Sequence, residues 1–67
     1  MQIRIKYRGQ EKVLDFDKSK VRVKDILEAL GLSSDYAFVV KNGEIASEDE
    51  EINENDQIKV VNAISGG

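Results

Sequence analysis

Val23-Lys24-Asp25-Ile26-Leu27-Glu28-Ala29-Leu30-Gly31-Leu32 is the stretch on which the fold turns, because here a chain with a strand-like pattern changes period. Val23, Ile26, Leu27 and Leu30 stand at i, i+3, i+4 and i+7, which places them on one stripe of an amphipathic helix. Asp25 falls in the first turn, where the helix dipole favours a carboxylate. Arg22 occupies the N-cap position and offers no side-chain acceptor, so the start of the helix lacks an ordinary cap. Gly31 suits the left-handed residue after the C-cap, with Leu32 as the apolar contact of a Schellman stop. So short a helix has to pack on something to persist.

What it packs on is read upstream and downstream. Gln2-Ile3-Arg4-Ile5-Lys6-Tyr7-Arg8 alternates polar and apolar residues, predicting a half-buried strand with Ile3, Ile5 and Tyr7 inward. Arg8-Gly9-Gln10-Glu11 reads as a tight turn. Lys12 to Phe16 reads as the returning strand, with Leu14 and Phe16 inward and Val13 and Asp15 outward. Asp17 to Lys20 is polar and reads as a loop. Downstream, Ser33-Ser34-Asp35 reads as a loop and Tyr36-Ala37-Phe38-Val39-Val40 as a third strand. Asn42-Gly43 signals a hairpin turn into a short strand, Glu44-Ile45-Ala46. Ser47 to Glu51 has the spacing of a capping box and predicts one helical turn anchored by Ile52. Asn53 to Asp56 reads as a turn, and Gln57 to Val61 as the last strand, with Ile58 and Val60 facing the helix.

The expected order is therefore β-β-α-β-β-β, an α+β fold. Residues 1–7 and 57–62 are the two cleanest strands, and pairing them in parallel at the sheet centre would bury both; the helix-containing connection is long enough for that. One main helix across one face of a mixed sheet of about four to five strands is the β-grasp arrangement. Its expected core is Ile3, Ile5, Leu14, Phe16, Val23, Ile26, Leu27, Leu30, Val39, Ile58 and Val60. There is no internal repeat, low-complexity segment or linker. The 67 residues suffice for one domain, which at this size buries only about 60% of its unfolded surface and has a stability of roughly 3–5 kcal/mol.

Composition removes most kinds of chemistry. With no His and no Cys, there is no ligand set for zinc, haem or iron–sulfur clusters, no disulfide, and no Ser–His–Asp or Cys–His triad. No phosphate-binding glycine motif is present. The run from Asp49 resembles a calcium loop, with Glu51 and Asn53 at the third and fifth positions. It fails where Glu54 replaces the required Gly and Val60 the required Glu. Paired carboxylates could serve as acid and base, but they lie in polar segments of a fold with little room for a cleft, so no enzymatic activity of its own is expected. Net charge is −3, which disfavours non-specific nucleic-acid binding. The charges are segregated: eight of ten Lys and Arg residues lie within residues 1–24, and six of thirteen acids between Glu48 and Asp56. No apolar run long enough to span a membrane and no leader is evident, so a cytoplasmic monomer is expected.

Two features are left over. Phe38-Val39-Val40 and Val60-Val61-Asn62-Ala63-Ile64 are apolar on both faces, and only one face can meet the helix. Either Ala37 and Val39 point inward and Phe38, Val40, Val61 and Ala63 crowd the open face as a docking patch, or Phe38 and Val40 are the inward pair or are covered by another segment. The second feature is the ending Ile64-Ser65-Gly66-Gly67. At an average Gly usage of about 7%, a chain ends in Gly-Gly by chance roughly once in two hundred, so the ending draws its meaning from its context. Two residues without Cβ suit an extended tail that enters a narrow channel, with the Gly67 α-carboxylate as its reactive group. The domain is thus expected over residues 1–61, with residues 62–67 as a flexible tail.

The strand order, the length, the hairpin Lys41-Asn42-Gly43-Glu44-Ile45, the segment Asn55-Asp56-Gln57-Ile58 and the ending Val60 to Gly67 together resemble the ubiquitin-like sulfur carriers. These include ThiS of thiamin synthesis, MoaD of molybdopterin synthesis and the small archaeal modifiers. The resemblance covers essentially the whole chain. It departs at Ala46-Ser47, where ThiS proteins tend to carry Pro-Arg. The resemblance implies a ubiquitin-like β-grasp fold that holds no cofactor of its own. A partner activating enzyme using Mg-ATP would dock on the sheet, recognise Ile64, Ser65 and Gly66, and adenylate the Gly67 carboxylate. A persulfide would then convert the adenylate to a thiocarboxylate, which a sulfur-accepting synthase uses in thiamin, molybdopterin or tRNA thiolation. Alternatively, a lysine amine of a target protein captures the carbonyl as an isopeptide. A plain interaction domain with an incidental Gly-Gly is the third reading.

Overall fold

The computed structural model describes residues 1–63. The strands are β1 (Gln2–Tyr7), β2 (Gln10–Asp15), β3 (Val21–Arg22), β4 (Ala37–Lys41), β5 (Glu44–Ala46), β6 (Glu51–Ile52) and β7 (Ile58–Asn62), and the helix is α1 (Val23–Ala29). Five strands form one mixed sheet in the order β2-β1-β7-β4-β5, and β3 and β6 form a separate two-stranded ribbon. β1 and β7 run parallel at the centre, with Ile5 opposite Ile58 and Tyr7 opposite Val60. This is the expected β-grasp arrangement of a mixed sheet and one helix.

Local rules account for the element ends. Arg8 and Gly9 both take positive φ, 54° and 75°, the two-residue type I′ geometry whose twist matches that of the flanking strands. The expected four-residue turn therefore tightens, and β2 starts at Gln10. The Arg8 guanidinium lies 5.5 Å from the centre of the Tyr7 ring, a cation–π contact across the turn. The helix ends in the expected Schellman motif: the Gly31 N–H donates to the Glu28 carbonyl at 3.0 Å and the Leu32 N–H to that of Leu27 at 2.9 Å, with Gly31 at φ +71°.

The start of the helix is capped in part by groups that lie far along the chain. The Val23 N–H donates to the Glu50 carbonyl and the Lys24 N–H to that of Glu48, both at 3.1 Å, so a distant loop supplies two acceptors for otherwise orphan donors. The Arg22 N–H donates to Asp25 Oδ2 at 2.8 Å. Expectation and structure differ here: Ser47–Glu51 forms no helical turn. Glu50 N–H meets the Ser47 carbonyl in a turn, and the chain then enters β6, where Ile52 pairs with Val21 and Glu51 with Arg22. Two segments about thirty residues apart thus close under the helix.

The core lies between α1 and the sheet. Ile3, Ile5, Val23, Ile26, Leu27, Val39, Ile58 and Val60 are buried as expected. Leu14, Phe16 and Leu30 are only half-buried and pack against the core from its margin. β2 is an edge strand and Leu30 is the helix C-cap, so each lacks neighbours on one side. Val21, Ala37, Ala46 and Ile52 complete the core. Val21 and Ile52 enter it through the ribbon, and Ala46 through its pairing with Val39.

Candidate functional site

The sheet has one face under α1 and one open face. Along β4, Ala37 and Val39 are buried against the helix side while Phe38 and Val40 are half-buried. Alternation along a strand therefore places Phe38 and Val40 on the open face. The alternative in which they form the inward pair is overturned. Phe38 stands directly opposite Val61 and Val40 opposite Lys59, so Val61 shares that face. The ribbon that might have covered the patch lies on the helix side, where it carries Val21 and Ile52 into the core. Ala63 is exposed and follows the end of β7; its N–H donates to the Tyr36 carbonyl at 2.6 Å. Of the four expected patch residues, Phe38, Val40 and Val61 are thus neighbours, and Ala63 lies where the chain leaves the sheet.

The expected tail boundary at residue 62 moves. Asn62 is the last residue of β7, paired with Ala37, and the Ala63 hydrogen bond extends the anchored chain one residue further. β4 offers partners that far along, and a buried or half-buried backbone takes them. Ile64, Ser65, Gly66 and Gly67 lie outside the described residues.

Two open-face residues were not singled out from the sequence. Ile45, directly opposite Val40, is 73% exposed, and Val13 is 55% exposed. The signal for Ile45 was present: the two-residue Asn42-Gly43 turn fixes the register, and a residue opposite Val40 must share its face. Beside the apolar residues run the cations Arg4, Lys6 and Lys59. Lys6 is directly opposite Lys59 in the parallel pair, and Arg4 contacts Glu11 at 3.6 Å on the surface. Depressions in the described surface are shallow and open and none encloses a substrate. Among the described residues no three carboxylates converge as cation ligands; Asp49 faces Lys24 at 3.6 Å instead.

The position of β7 is set by the loop before it. Asn42 Nδ2 donates to Asp56 Oδ1 at 3.0 Å, and Asn42 Oδ1 accepts from the Gln57 N–H at 2.9 Å. The Asn42 N–H in turn donates to the Gln57 carbonyl at 2.8 Å. Asp56 Oδ2 accepts from the Asn53 N–H at 2.8 Å. These bonds, first that from Asn53 and then that from Asn42, hold the Asp56 carboxyl below its ordinary range, against the opposing effect of burial. Lys41 closes the other side, donating to the Glu51 carbonyl at 3.1 Å and pairing with Glu50 Oε2 at 3.0 Å. Its hydrogen bond to Glu50 raises its affinity for the proton.

The fold is similar to that of SAMP1 from Haloferax volcanii, with a TM-score of 0.72 over 100% of both chains at 22% identity. It is also similar to the thiamine biosynthesis protein ThiS from Geobacter metallireducens, with a TM-score of 0.63 at 20% identity, covering 97% of this chain and 100% of that one. At these identities the likeness is one of fold. The model of the ThiS family matches residues 5–67, which include β7, the open-face strands and the Gly66-Gly67 ending. On that match the chain belongs to the ThiS family, small ubiquitin-like carrier domains that are not themselves enzymes.

Proposed function

We propose that this protein is a sulfur carrier whose reactive group is the Gly67 carboxylate and whose open sheet face docks on an ATP-dependent activating enzyme. The observation that carries the reading is the family match running to Gly67, on a chain whose sequence offers no nucleophilic triad and no phosphate-binding glycine motif and whose described residues enclose no pocket. β7 is the central strand, paired with β1 as far as Val60 and anchored on the β4 side as far as Ala63. Four residues follow, which can span at most about 14 Å. The open face that carries Phe38, Val40 and Val61 adjoins that exit, so a partner seated there has residues 64–67 within reach of its active site.

The chemistry balances as follows. A Gly67 carboxylate oxygen attacks the α-phosphorus of Mg-ATP held by the partner; a P–O bond forms and pyrophosphate leaves. The terminal sulfur of a partner persulfide attacks the acyl carbon and AMP leaves, giving an acyl disulfide. A thiol then attacks the partner-side sulfur, cleaves the S–S bond and releases the Gly67 thiocarboxylate with a new disulfide. A synthase receives the sulfur, in thiamin, molybdopterin or tRNA thiolation. The same adenylate permits capture by a lysine ε-amine, which would make the chain a protein modifier; the fold likeness to SAMP1 is compatible with that outcome, and the family match favours the sulfur route.

Intact-mass analysis of the protein isolated from its own host tests the reading. A species heavier by about 16 Da, from O replaced by S, and confined to the fragment containing Gly67, is the expected result. A carboxylate of unaltered mass together with adducts on lysines of other proteins would replace the carrier reading with the modifier one.

A further inference from the structure

The outer edge of the sheet has an order of its own. β2 is an edge strand, with β1 on one side only. At its end Met1 and Phe16 exchange both backbone hydrogen bonds: the Met1 nitrogen donates to the Phe16 carbonyl at 2.7 Å, and the Phe16 N–H to the Met1 carbonyl at 2.8 Å. In an antiparallel pair such residues alternate with residues whose backbone groups point away from the partner. The register runs unbroken from Gln2 opposite Asp15 to Tyr7 opposite Gln10. Leu14, Lys12 and Gln10 therefore give their backbone groups to β1, and Asp15, Val13 and Glu11 turn theirs outward. The N–H and C=O groups of these residues line the edge, the template for an added strand.

The same residues present acid, valine and acid on the face away from α1, opposite Gln2, Arg4 and Lys6. Native edges are commonly blunted with lysine, proline or a bulge. The middle of this one is Val13, which with Ile45 makes up the exposed large hydrophobics among the described residues. The acids block a different event, pairing with a second copy. A two-fold pair of β2 edges centred on Val13 sets Glu11 of each copy against Asp15 of the other, and like charges directly opposite are destabilising. Asp15 has no ion pair among the described residues, and Glu11 has a surface contact with Arg4 at 3.6 Å.

We infer that the β2 edge accepts an extended segment of another protein as an added antiparallel strand, with cations opposite Glu11 and Asp15 and an aliphatic side chain opposite Val13. The main-chain bonds of such a pairing supply affinity and the alternate side chains supply specificity. The site is a sheet edge, two places from β7 in the strand order. It uses neither the Gly67 carboxylate nor Phe38, Val40 and Val61.

The test titrates the isotope-labelled full chain with a heptapeptide blocked at both ends, with lysine at its second and sixth positions, valine at its fourth and threonine elsewhere. A second peptide carries glutamate in place of both lysines. The lysine peptide is expected to bind about tenfold more tightly than the glutamate peptide. It should also slow amide hydrogen exchange at Glu11, Val13 and Asp15. Val13→Pro removes an outward donor and no bond to β1, a change that edge strands tolerate. It should melt near wild type and lose the slowed exchange at Glu11 and Asp15. Glu11→Lys/Asp15→Lys leaves the backbone groups in place and should invert the preference between the peptides; it carries the comparison by itself if the proline variant fails to fold. Unchanged exchange at the three amides under saturating peptide overturns the inference. So do shifts confined to the acidic loop at residues 48–51, or a double variant that keeps the wild-type preference. Sedimentation of the protein alone as a dimer that Val13→Pro dissolves would seat a second copy on the edge and overturn it too.

Discussion

Asn42 and Asp56 are joined side chain to side chain, Nδ2 to Oδ1 at 3.0 Å, across the two turns that precede β5 and β7. Asn42 takes positive φ (52°), as a type I′ turn requires, and also exchanges hydrogen bonds with the backbone of Gln57. One residue therefore serves the β4–β5 hairpin through its backbone and the start of the central strand through its amide. Replacing it with glycine separates the two roles. Asn42→Gly keeps the positive φ at no steric cost and loses the amide bonds, each worth about 0.5–1.5 kcal/mol. A loss of about 1–2 kcal/mol in urea denaturation is expected; an unchanged midpoint would show that the amide contributes nothing at this exposed site.

The ribbon supplies the second prediction. Ile52 is 1% exposed and pairs with Val21, and its strand follows the loop whose Glu48 and Glu50 carbonyls cap the helix. Ile52→Ala should cost about 2–5 kcal/mol, similar to Leu27→Ala in the helix stripe. Either loss is comparable with the whole stability of a domain of this length, roughly 3–5 kcal/mol, so both variants should be largely unfolded by circular dichroism at room temperature. A melt lowered by only a degree or two would mean that the ribbon is peripheral.

Acid should weaken the fold through Asp25 and Asp56. The Asp25 carboxyl accepts from Lys18 Nζ and from the Arg22 N–H, both at 2.8 Å, and these bonds, the one from Lys18 foremost, lower its pKa below 3.8. Asp56 is lowered likewise. A carboxyl with a folded pKa below its unfolded one contributes stability that is fully present above the unfolded value and lost as pH falls through the folded value. Stability should therefore be flat from about pH 7 to 5 in these two contributions and fall below about pH 4. Asp25→Asn and Asp56→Asn should each flatten that fall in denaturation measured across the range; an unaltered slope in both would exclude these carboxylates as its source.

On the open face, Ile45→Asp should separate folding from binding. The side chain is 73% exposed, so stability should stay within about 0.5 kcal/mol of wild type. Binding to the activating enzyme should weaken by roughly 30-fold or more, since a charge in the core of an interface is strongly disfavoured. Val61→Asp should weaken binding as well, with a larger effect on stability because Val61 is half-buried opposite Phe38. Calorimetric titration of both variants gives the affinities; unaltered affinity for the two would place the interface elsewhere.

Deleting Gly67 should leave stability within about 0.5 kcal/mol and abolish pyrophosphate exchange with the activating enzyme. The shortened chain still carries a carboxylate, at Gly66, but one extended residue is about 3.5 Å. A misplacement of about 1 Å can already cost a hundredfold in rate. Gly67→Val should fail through its branched side chain. Exchange at the wild-type rate by the truncated protein would remove the tail as the reactive element.

The sequence by itself determined the parts that obey local rules. The alternation of Ile3, Ile5 and Tyr7, the stripe of Val23, Ile26 and Leu27, the stop at Gly31-Leu32 and the turn at Asn42-Gly43 each depend on neighbours within a few residues, and each stands as expected, with Tyr7 and Leu30 at the margin of the core. The apolar surplus of Phe38, Val40 and Val61 was equally visible, but not its face. That was decided by tertiary structure, because the choice between inward pairs depends on which set α1 covers. The ribbon escaped for the same reason: two-residue strands have no period, and Val21 meets Ile52 only once the intervening helix has folded back. The cap that Arg22 could not provide came from the carbonyls of Glu48 and Glu50. Backbone acceptors are the same in every residue type, so no pattern of side chains could have announced them.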